Sequence, residues 1–176
     1  PTQGLLDAYA LAEAHQRLDS FELSGLTVLI VGDVMNSRVA RSDVHAFAAL
    51  GARVICCGPP ALAPLSLARA LGVDVLRSLD EALRNADAVQ MLRIQRERDA
   101  AAGSIREYTT GYQLDERRAA LLKPGAVVMH PGPMNRGVEI ASAVADGPRS
   151  IVLRQVRAGV FVRMAALERC LSARAH

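Results

Sequence analysis

Five short apolar runs recur along this sequence, and the stretches between them carry apolar residues at helical spacing. The runs cover residues 26–31, 53–57, 73–76, 88–92 and 126–129. Each is long enough for a strand and too short for a helix, and continuous apolar runs are typical of parallel strands buried on both faces. Strand and helix in alternation predict an α/β fold, an open doubly wound parallel sheet of about five strands with helices on both faces.

Helical periodicity appears before, between and after these runs. It predicts helices near residues 2–18, 39–50, 65–71, 115–122 and 150–173. A further helix is expected to begin after Ser78, with Glu81 three residues later completing a capping box. Gly159 is the weak position of the last helix. Residues 99–111 are polar and contain glycine, which predicts a mobile loop.

Charge and composition exclude several classes of protein. The net charge is +3, but basic residues alternate with acidic ones and aromatic residues make up only 3% of the chain, so a basic, base-stacking surface for nucleic acid is not expected. Neither a signal peptide nor an apolar run of membrane-spanning length is present in the sequence. Cys56, Cys57 and Cys170 fit buried thiols in a reducing compartment better than disulfides or a zinc site. These features predict a cytoplasmic chain that binds no membrane and needs no metal or cofactor.

The carboxyl ends of the predicted strands are where a sheet of this type binds ligands. The turn at residues 32–38 lacks the glycine triplet of a dinucleotide-binding loop, which argues against a nicotinamide cofactor. It contains Arg38 instead, near the start of a helix, where a guanidinium and the helix dipole would both favour an anion. A solvated surface charge is the alternative for Arg38, and Arg41 is interpreted as structural support.

Two later strand ends also carry polar groups. Arg93 and Gln95 alternate after the fourth run and would point to one side of an extended chain, where they could hold a carboxylate and orient an amine. The fifth run leads into residues 130–133, His-Pro-Gly-Pro, a rigid turn whose carbonyl groups could bind a substrate amide. His130 could act as a base, but a structural hydrogen-bonding role is the favoured interpretation.

These motifs together resemble bacterial aspartate carbamoyltransferase. They are Pro-Thr-Gln at residues 1–3, Gly-Asp-x-x-x-Ser-Arg-Val-Ala-Arg-Ser from Gly32, Met-Leu-Arg-x-Gln-x-Glu-Arg from Met91, and Met-His-Pro-Gly-Pro-Met-Asn-Arg-Gly from Met129. The likeness runs from residue 1 to about residue 171 and is to the second, aspartate-binding domain of that family. The fold implied is the Rossmann-like second domain of a carbamoyltransferase.

The resemblance implies a reaction and a set of site residues. The reaction is carbamoyl transfer from carbamoyl phosphate to L-aspartate, which gives N-carbamoyl-L-aspartate and phosphate in pyrimidine biosynthesis. Aspartate would be held by Arg38, Arg93 and Gln95. Carbamoyl phosphate would meet Gln3, Gly132 and Pro133, with the peptide bond before Pro133 in the cis form. No catalytic set is complete within this chain.

The resemblance also implies an organisation. Residues 1–18 would be an interdomain hinge helix, 19–148 the aspartate-binding domain, and 149–176 a C-terminal helix that packs on a carbamoyl-phosphate domain preceding this sequence. The chain would then be inactive alone and would self-associate through partly exposed faces that carry Leu5, Leu6, Tyr9, Val162 and Leu167. The intact enzyme would be a homotrimer, with regulatory or dihydroorotase-type subunits as further partners.

Two alternatives stay open. An ornithine-type carbamoyltransferase shares the fold, but Arg38 and Arg93 would repel its cationic substrate, and that family carries a His-Cys-Leu-Pro turn where this chain has residues 130–133. A non-catalytic carbamoyltransferase-like binding domain would differ from the enzyme in what precedes this sequence.

Overall fold

A five-stranded parallel sheet forms the centre of the molecule. The computed structural model describes residues 2–94 and 105–172. The strands are β1 (Thr27–Val31), β2 (Arg53–Cys57), β3 (Asp74–Leu76), β4 (Ala88–Met91) and β5 (Val127–Met129). Their order is β3-β2-β1-β4-β5, and all four neighbouring pairs are parallel. The predicted five-stranded parallel α/β sheet is confirmed.

Helices cover both faces of this sheet. The helices are α1 (Thr2–Ala14), α2 (Arg38–Ala49), α3 (Ser66–Leu71), α4 (Leu79–Arg84), α5 (Ile105–Tyr112), α6 (Glu116–Ala119), α7 (Ser142–Ala145) and α8 (Val152–Ser172). Alternate side chains of β1 serve the two faces: Val28 and Ile30 join the core under α1, α2 and α8, while Leu29 and Val31 join the core under α4, α6 and α7. The doubly wound arrangement follows from this two-sided burial.

One sequence prediction was wrong. Residues 105–111 are not a loop, because they belong to α5, whose Tyr108 is 1% exposed and packs with Leu62, Ile94 and Val138. Residues 99–104 of the predicted loop lie outside the described part of the chain. The short helix α7 was also not predicted. In α5 the apolar residues Ile105, Tyr108 and Tyr112 are spaced for one helix face, but the polar residues between them and Gly111 favoured a loop.

The first and last helices pack closely together. Gly159 is buried in α8, and a Cβ atom there would lie 3.3 Å from Leu6 Cδ2 of α1. A residue without a side chain suits the close approach of the two helices at this point. Leu6, expected to be partly exposed, is therefore only 2% exposed. Leu5 and Leu167 are exposed as expected, at 52% and 65%.

Both edges of the sheet are protected. Val128 of β5 pairs outward with the segment before α8, donating its N–H to Arg149 O at 2.8 Å and accepting from Ile151 N at 2.9 Å. At the other edge β3 has only three residues, and its Asp74 forms an ion pair of 2.6 Å with Arg53 of β2. Short and covered edge strands resist pairing with other chains.

Three further features can be compared with the sequence: the burial of the cysteines, the length of the helices and the placement of possible metal ligands. Cys56 and Cys57 are buried, and burial raises the pKa of each thiol to about 12, so both stay protonated at neutral pH. Among the described helices, none is both long and apolar enough to cross a membrane. Residues 2–94 and 105–172 contain no group of three His, Cys, Asp or Glu side chains placed to hold a metal ion.

Candidate functional site

A cleft of about 200 Å³ opens at the carboxyl edge of the sheet, between the segments that follow β1, β4 and β5. It is lined by Asp33, Asn36, Ser37, Arg38, Val39, Leu92, Arg93, Pro131, Gly132 and Pro133. Strands β1 and β4 are neighbours in the sheet but not in sequence, so the segments leaving them diverge and form a crevice. Four of the predicted site residues therefore meet at one place.

Arg38 is the first residue of α2 and is exposed at the rim of this cleft. The helix begins there because the Ser37 side chain caps it, accepting a hydrogen bond from Ala40 N at 3.1 Å. Arg41, one turn later, donates from Nη2 to Met35 O at 3.0 Å and braces the loop that enters the helix. Arg41 thus has the supporting role expected of it, and Arg38 is left facing the cleft.

Arg93 follows β4 by two residues and is also exposed. Neither Arg93 nor Arg38 forms an ion pair with any described residue. The acid in the cleft, Asp33, is buried, and its Oδ1 accepts from Asn36 N at 3.2 Å and from Asn36 Nδ2 at 2.9 Å. The cleft consequently presents two guanidinium groups without carboxylate partners, which suits a ligand with two carboxylates. Gln95, the third predicted aspartate ligand, lies outside the described residues.

The turn after β5 is held by His130. Its Nδ1 accepts a hydrogen bond from Gly132 N at 2.9 Å, and its Nε2 lies 3.2 Å from Glu139 Oε1. An accepting Nδ1 carries no proton, so the proton is on Nε2 and is donated to Glu139. Both ring nitrogens are engaged and the residue is buried, which fits the structural role rather than the catalytic one. Gly132 has φ +66°, and its peptide bond to Pro133 is cis as expected.

Glu139 and Asn135 connect this turn to the segment after β4. Glu139 is buried, and its Oε1 also accepts from Asn135 N. Asn135 Nδ2 in turn donates to Ile94 O at 2.8 Å, directly after Arg93. The position of Arg93 therefore depends on the turn that carries Gly132. Sequence reasoning did not single out Glu139, because a Glu nine residues from a His carries no local signal.

Gln3 lies on the other side of that turn. A second cavity of about 170 Å³ is lined by Gln3, Leu6, His130, Pro131, Gly132, Val152, Gln155, Val156 and Arg163. Pro131 and Gly132 line both cavities, so the turn separates Gln3 from the two arginines. Five of the six predicted site residues are thus placed around two adjoining cavities.

A buried polar network lies beneath Gln3, and sequence reasoning missed it. Asp7 accepts from Gln3 Nε2 (3.0 Å and 3.1 Å to its two oxygens), from Gln155 Nε2 (2.7 Å) and from Gln90 Nε2 (3.1 Å). Gln90 Nε2 also donates to Asp43 Oδ2 at 3.2 Å, and Gln155 Oε1 accepts from His130 N at 2.9 Å. The only signal in the sequence was Gln90, the single polar residue of the apolar run 88–92.

The two acids of this network are both less acidic than usual. Burial raises the pKa of Asp7, although hydrogen bonds from Gln155 and Gln3 oppose the shift. Burial and the negative charge of Asp7 raise the pKa of Asp43 well above its ordinary value. Both carboxyl groups accept from the same Gln90 Nε2, at 3.1 Å and 3.2 Å, and two buried carboxyl groups this close favour a proton on one of them. Asp7 receives donors from three side chains and Asp43 from one, so the arrangement of donors favours the proton on Asp43.

Comparison with families of known proteins gives a match over most of the chain. The family described as aspartate/ornithine carbamoyltransferase, Asp/Orn binding domain, matches residues 24–170. The aspartate carbamoyltransferase catalytic subunit of Myxococcus xanthus is 55% identical over 172 residues, which cover 97% of this chain and 56% of that protein. The corresponding subunit of Gluconobacter oxydans is 52% identical over 176 residues, covering 99% and 55%. The chain therefore spans about half the length of the curated relatives it matches.

Solved structures give the same likeness. Aspartate transcarbamoylase from Trypanosoma cruzi, crystallised in complex with carbamoyl aspartate and phosphate, is 30% identical with a TM-score of 0.77, and the match covers 95% of this chain and 54% of that one. Ornithine carbamoyltransferase from Thermus thermophilus is 26% identical with a TM-score of 0.79, covering 95% and 54%. Since both activities occur on this fold, the side chains of the site have to discriminate between them.

Proposed function

Since this chain belongs to the aspartate/ornithine carbamoyltransferase family, we propose that it is the amino-acid-binding half of an enzyme that carbamoylates L-aspartate. The products would be N-carbamoyl-L-aspartate and phosphate, a step of pyrimidine biosynthesis. The observation that carries the proposal is the cleft in which Arg38 and Arg93 stand without described carboxylate partners. This half would work only together with the rest of a longer protein.

Aspartate fits this cleft better than ornithine. Two guanidinium groups can each pair with one of the two carboxylates of aspartate, in a forked geometry suited to that group. Ornithine offers one carboxylate and a cationic side chain, which one of the arginines would repel. The relatives at 52–55% identity carry the aspartate name, in agreement with this choice.

The remaining residues fit a direct transfer. The uncharged amine of aspartate, oriented by Arg38, Arg93 and Gln95, would attack the carbamoyl carbon to form a C–N bond. The C–O bond to phosphate would then break, and the leaving phosphate would take the bonding electron pair and the amine proton. Gln3 and the backbone at Gly132 and Pro133 would contact the carbamoyl group. Positioning and donors aimed at the developing oxyanion supply catalysis in such a reaction. Groups that bind the phosphate would come from the rest of the protein.

The surface of α8 supports the proposed hinge and covering roles of the terminal segments. Gln155 contacts Asp7, Gly159 lies against Leu6, and Arg163 lines a cavity with Gln3, so α8 runs antiparallel to α1 and continues past its start.

One apolar stripe of α8 is exposed. It consists of Leu153, Val156, Val160, Met164, Leu167 and Leu171. We infer that the preceding carbamoyl-phosphate domain covers this α8 stripe, with residues 1–18 as hinge and 149–176 as the covering helix. The family resemblance supports a cytoplasmic homotrimer.

The test is an assay of the full-length protein for carbamoylaspartate formation. Arg38→Ala and Arg93→Ala should each raise KM for aspartate by roughly 10-fold to 100-fold, since a charged hydrogen bond contributes about 1.5–3 kcal/mol. Arg84→Ala is the matched control. Arg84 ends α4 just before β4 begins, so it lies near the amino ends of the strands, away from the cleft at their carboxyl ends. The 176-residue chain alone should show negligible turnover.

Two outcomes would overturn the proposal. One is an intact protein that carbamoylates ornithine in preference to aspartate. The other is a KM for aspartate that the Arg38 and Arg93 variants leave at the value of the Arg84 control.

A further inference from the structure

The amide of Gln3 has a fixed orientation in this structure. Its Nε2 lies 3.0 Å and 3.1 Å from the two carboxylate oxygens of Asp7. An amide nitrogen only donates and an ionised carboxylate only accepts, so the opposite orientation would place two acceptors against each other. The carbonyl oxygen of Gln3 is thereby left for the cavity that it shares with Gly132.

Asp7 can hold Gln3 only while it stays ionised. It is fully buried, and its two oxygens already receive donors from Gln3, Gln90 and Gln155. A proton on Asp7 would remove one of these acceptors. A proton on Asp43 would instead add a fourth donor to Asp7.

Asp43 is placed to keep that proton. It is fully buried on α2, its Oδ2 accepts from Gln90 Nε2 at 3.2 Å, and its Oδ1 has no hydrogen-bond partner among the described residues. No cationic side chain of the described residues is bonded to either acid, and the other groups that face them, Gln90 of β4 and Gln155 of α8, are neutral. A buried pair of acids without a cation is stable only when one proton is shared between them.

We propose that Asp7 is a positioning residue that turns the Gln3 amide oxygen toward the carbamoyl group, and that a proton held by Asp43 keeps Asp7 ionised for this task. This inference rests on the proposed function. It assigns to Gln3 an acceptor role, so the oxygen would receive a hydrogen bond from the NH₂ of the carbamoyl group. The pair also joins α1, which carries Gln3, to α2, which carries Arg38.

Two substitutions of equal size separate this role from simple burial. Asp43→Asn replaces the carboxyl O–H by an amide N–H, which still donates to Asp7. In the full-length enzyme KM for carbamoyl phosphate should then stay within about twofold of wild type. Asp7→Asn removes one acceptor and adds a donor that faces Gln3, so KM for carbamoyl phosphate should rise by about tenfold, the loss of one hydrogen bond. KM for aspartate should change far less.

A double-mutant cycle with Gln3→Ala identifies the route of the effect. If Asp7 acts through Gln3, Asp7→Asn should add nothing to KM for carbamoyl phosphate once Gln3 is Ala. Additive effects of the two substitutions would overturn the positioning role. Equal losses in Asp7→Asn and Asp43→Asn would overturn the shared-proton arrangement.

Infrared spectroscopy covers the case in which Asp7→Asn does not fold. The wild-type enzyme at neutral pH should show the carbonyl stretch of a protonated carboxylic acid, and this band should vanish in Asp43→Asn. Its absence from the wild-type spectrum would overturn the proposal. A wild-type enzyme that carbamoylates no aspartate would instead count against the proposed function, since the band does not depend on activity.

Discussion

His130 stiffens the turn around Gly132 because each of its ring nitrogens has a partner within the protein. Gly132 N donates to Nδ1 at 2.9 Å, and Nε2 reaches Glu139 at 3.2 Å. Glu139 is then tied through Asn135 to the backbone beside Arg93. A single imidazole thus connects the two strand ends that carry Gly132 and Arg93.

Asp43 should make the stability of the chain depend on pH. Its pKa is raised in the folded state, chiefly by burial and then by Asp7, so the folded chain keeps a proton that the unfolded chain releases above pH 3.8. The folding free energy that Asp43 contributes is therefore lost as the pH rises from 3.8 toward the folded pKa. Over that window the unfolding free energy of Asp43→Asn should rise relative to that of wild type by about 1.4 kcal/mol for each pH unit.

Urea unfolding of the 176-residue chain and of Asp43→Asn at a series of pH values measures this difference. Asp7 faces position 43 in both proteins and its charge affects the pKa of Asp43, whereas Gln90 and Gln155 do not titrate, so the comparison reports on this pair of carboxyl groups. A difference in unfolding free energy that stays constant across the series would show that Asp43 is ionised in the folded chain.

Single residues were predictable from sequence where a local pattern places them. Arg38, Arg93 and Gly132 lie in the segments that follow three of the apolar runs, and strand ends of a parallel sheet converge. Asp7, Asp43 and Glu139 gave no such signal. Gln90 and Gln155, the partners that join Asp7 and Asp43 to other elements, lie 47 to 148 positions away in sequence. Glu139 is only nine positions from His130, but that spacing is not the period of a helix or a strand, so only the folded chain reveals these contacts.

Helices α1 and α2 approach so closely that one position has to be glycine. Gly4 N donates to Ser42 Oγ at 3.0 Å, and a Cβ atom on Gly4 would lie 2.5 Å from Ser42 O, a backbone atom. Gly4→Ala should separate the two helices and lower the unfolding free energy by about 1–3 kcal/mol. The midpoint of urea denaturation would measure the loss.

Gly111 provides the control for this substitution. It lies in α5, and a Cβ atom there would have nothing within 4 Å. Gly111→Ala should therefore leave stability unchanged or raise it by up to about 1 kcal/mol, because alanine costs less backbone entropy in a helix. Equal midpoints for both variants would mean that the α1–α2 contact tolerates a methyl group.

Helices and strands were predicted well where a wide buried face makes apolar residues recur at the spacing of that element. The five strands and most helices met that condition, whereas α5 fully buries only Tyr108 and leaves Ile105 and Tyr112 partly exposed. The sequence predicted helices α1 and α8 but not their close packing on each other. In the sequence Gly159 is only a weak helical position, whereas in the structure it faces Leu6 of α1.

The 176-residue chain should self-associate through the α8 stripe. Its six residues repeat every three or four positions and are 57–83% exposed, so they form one continuous apolar face. Light scattering should show an average mass that rises with concentration. Met164→Glu combined with Leu167→Glu should reduce this rise.

Leu65→Glu is the control, because Leu65 is 64% exposed but lies next to α3. It should associate as wild type does. A concentration-independent monomer mass for the unsubstituted chain would contradict the expectation, and it would also weaken the inference that another domain covers α8.

The protected edges of the sheet determine what form such association takes. Because β5 already pairs with the segment around Ser150 and β3 offers only three residues, neither edge provides a template for adding strands from another molecule. Assemblies of this chain should consequently be helix-mediated and reversible on dilution, without the growth of cross-β fibrils.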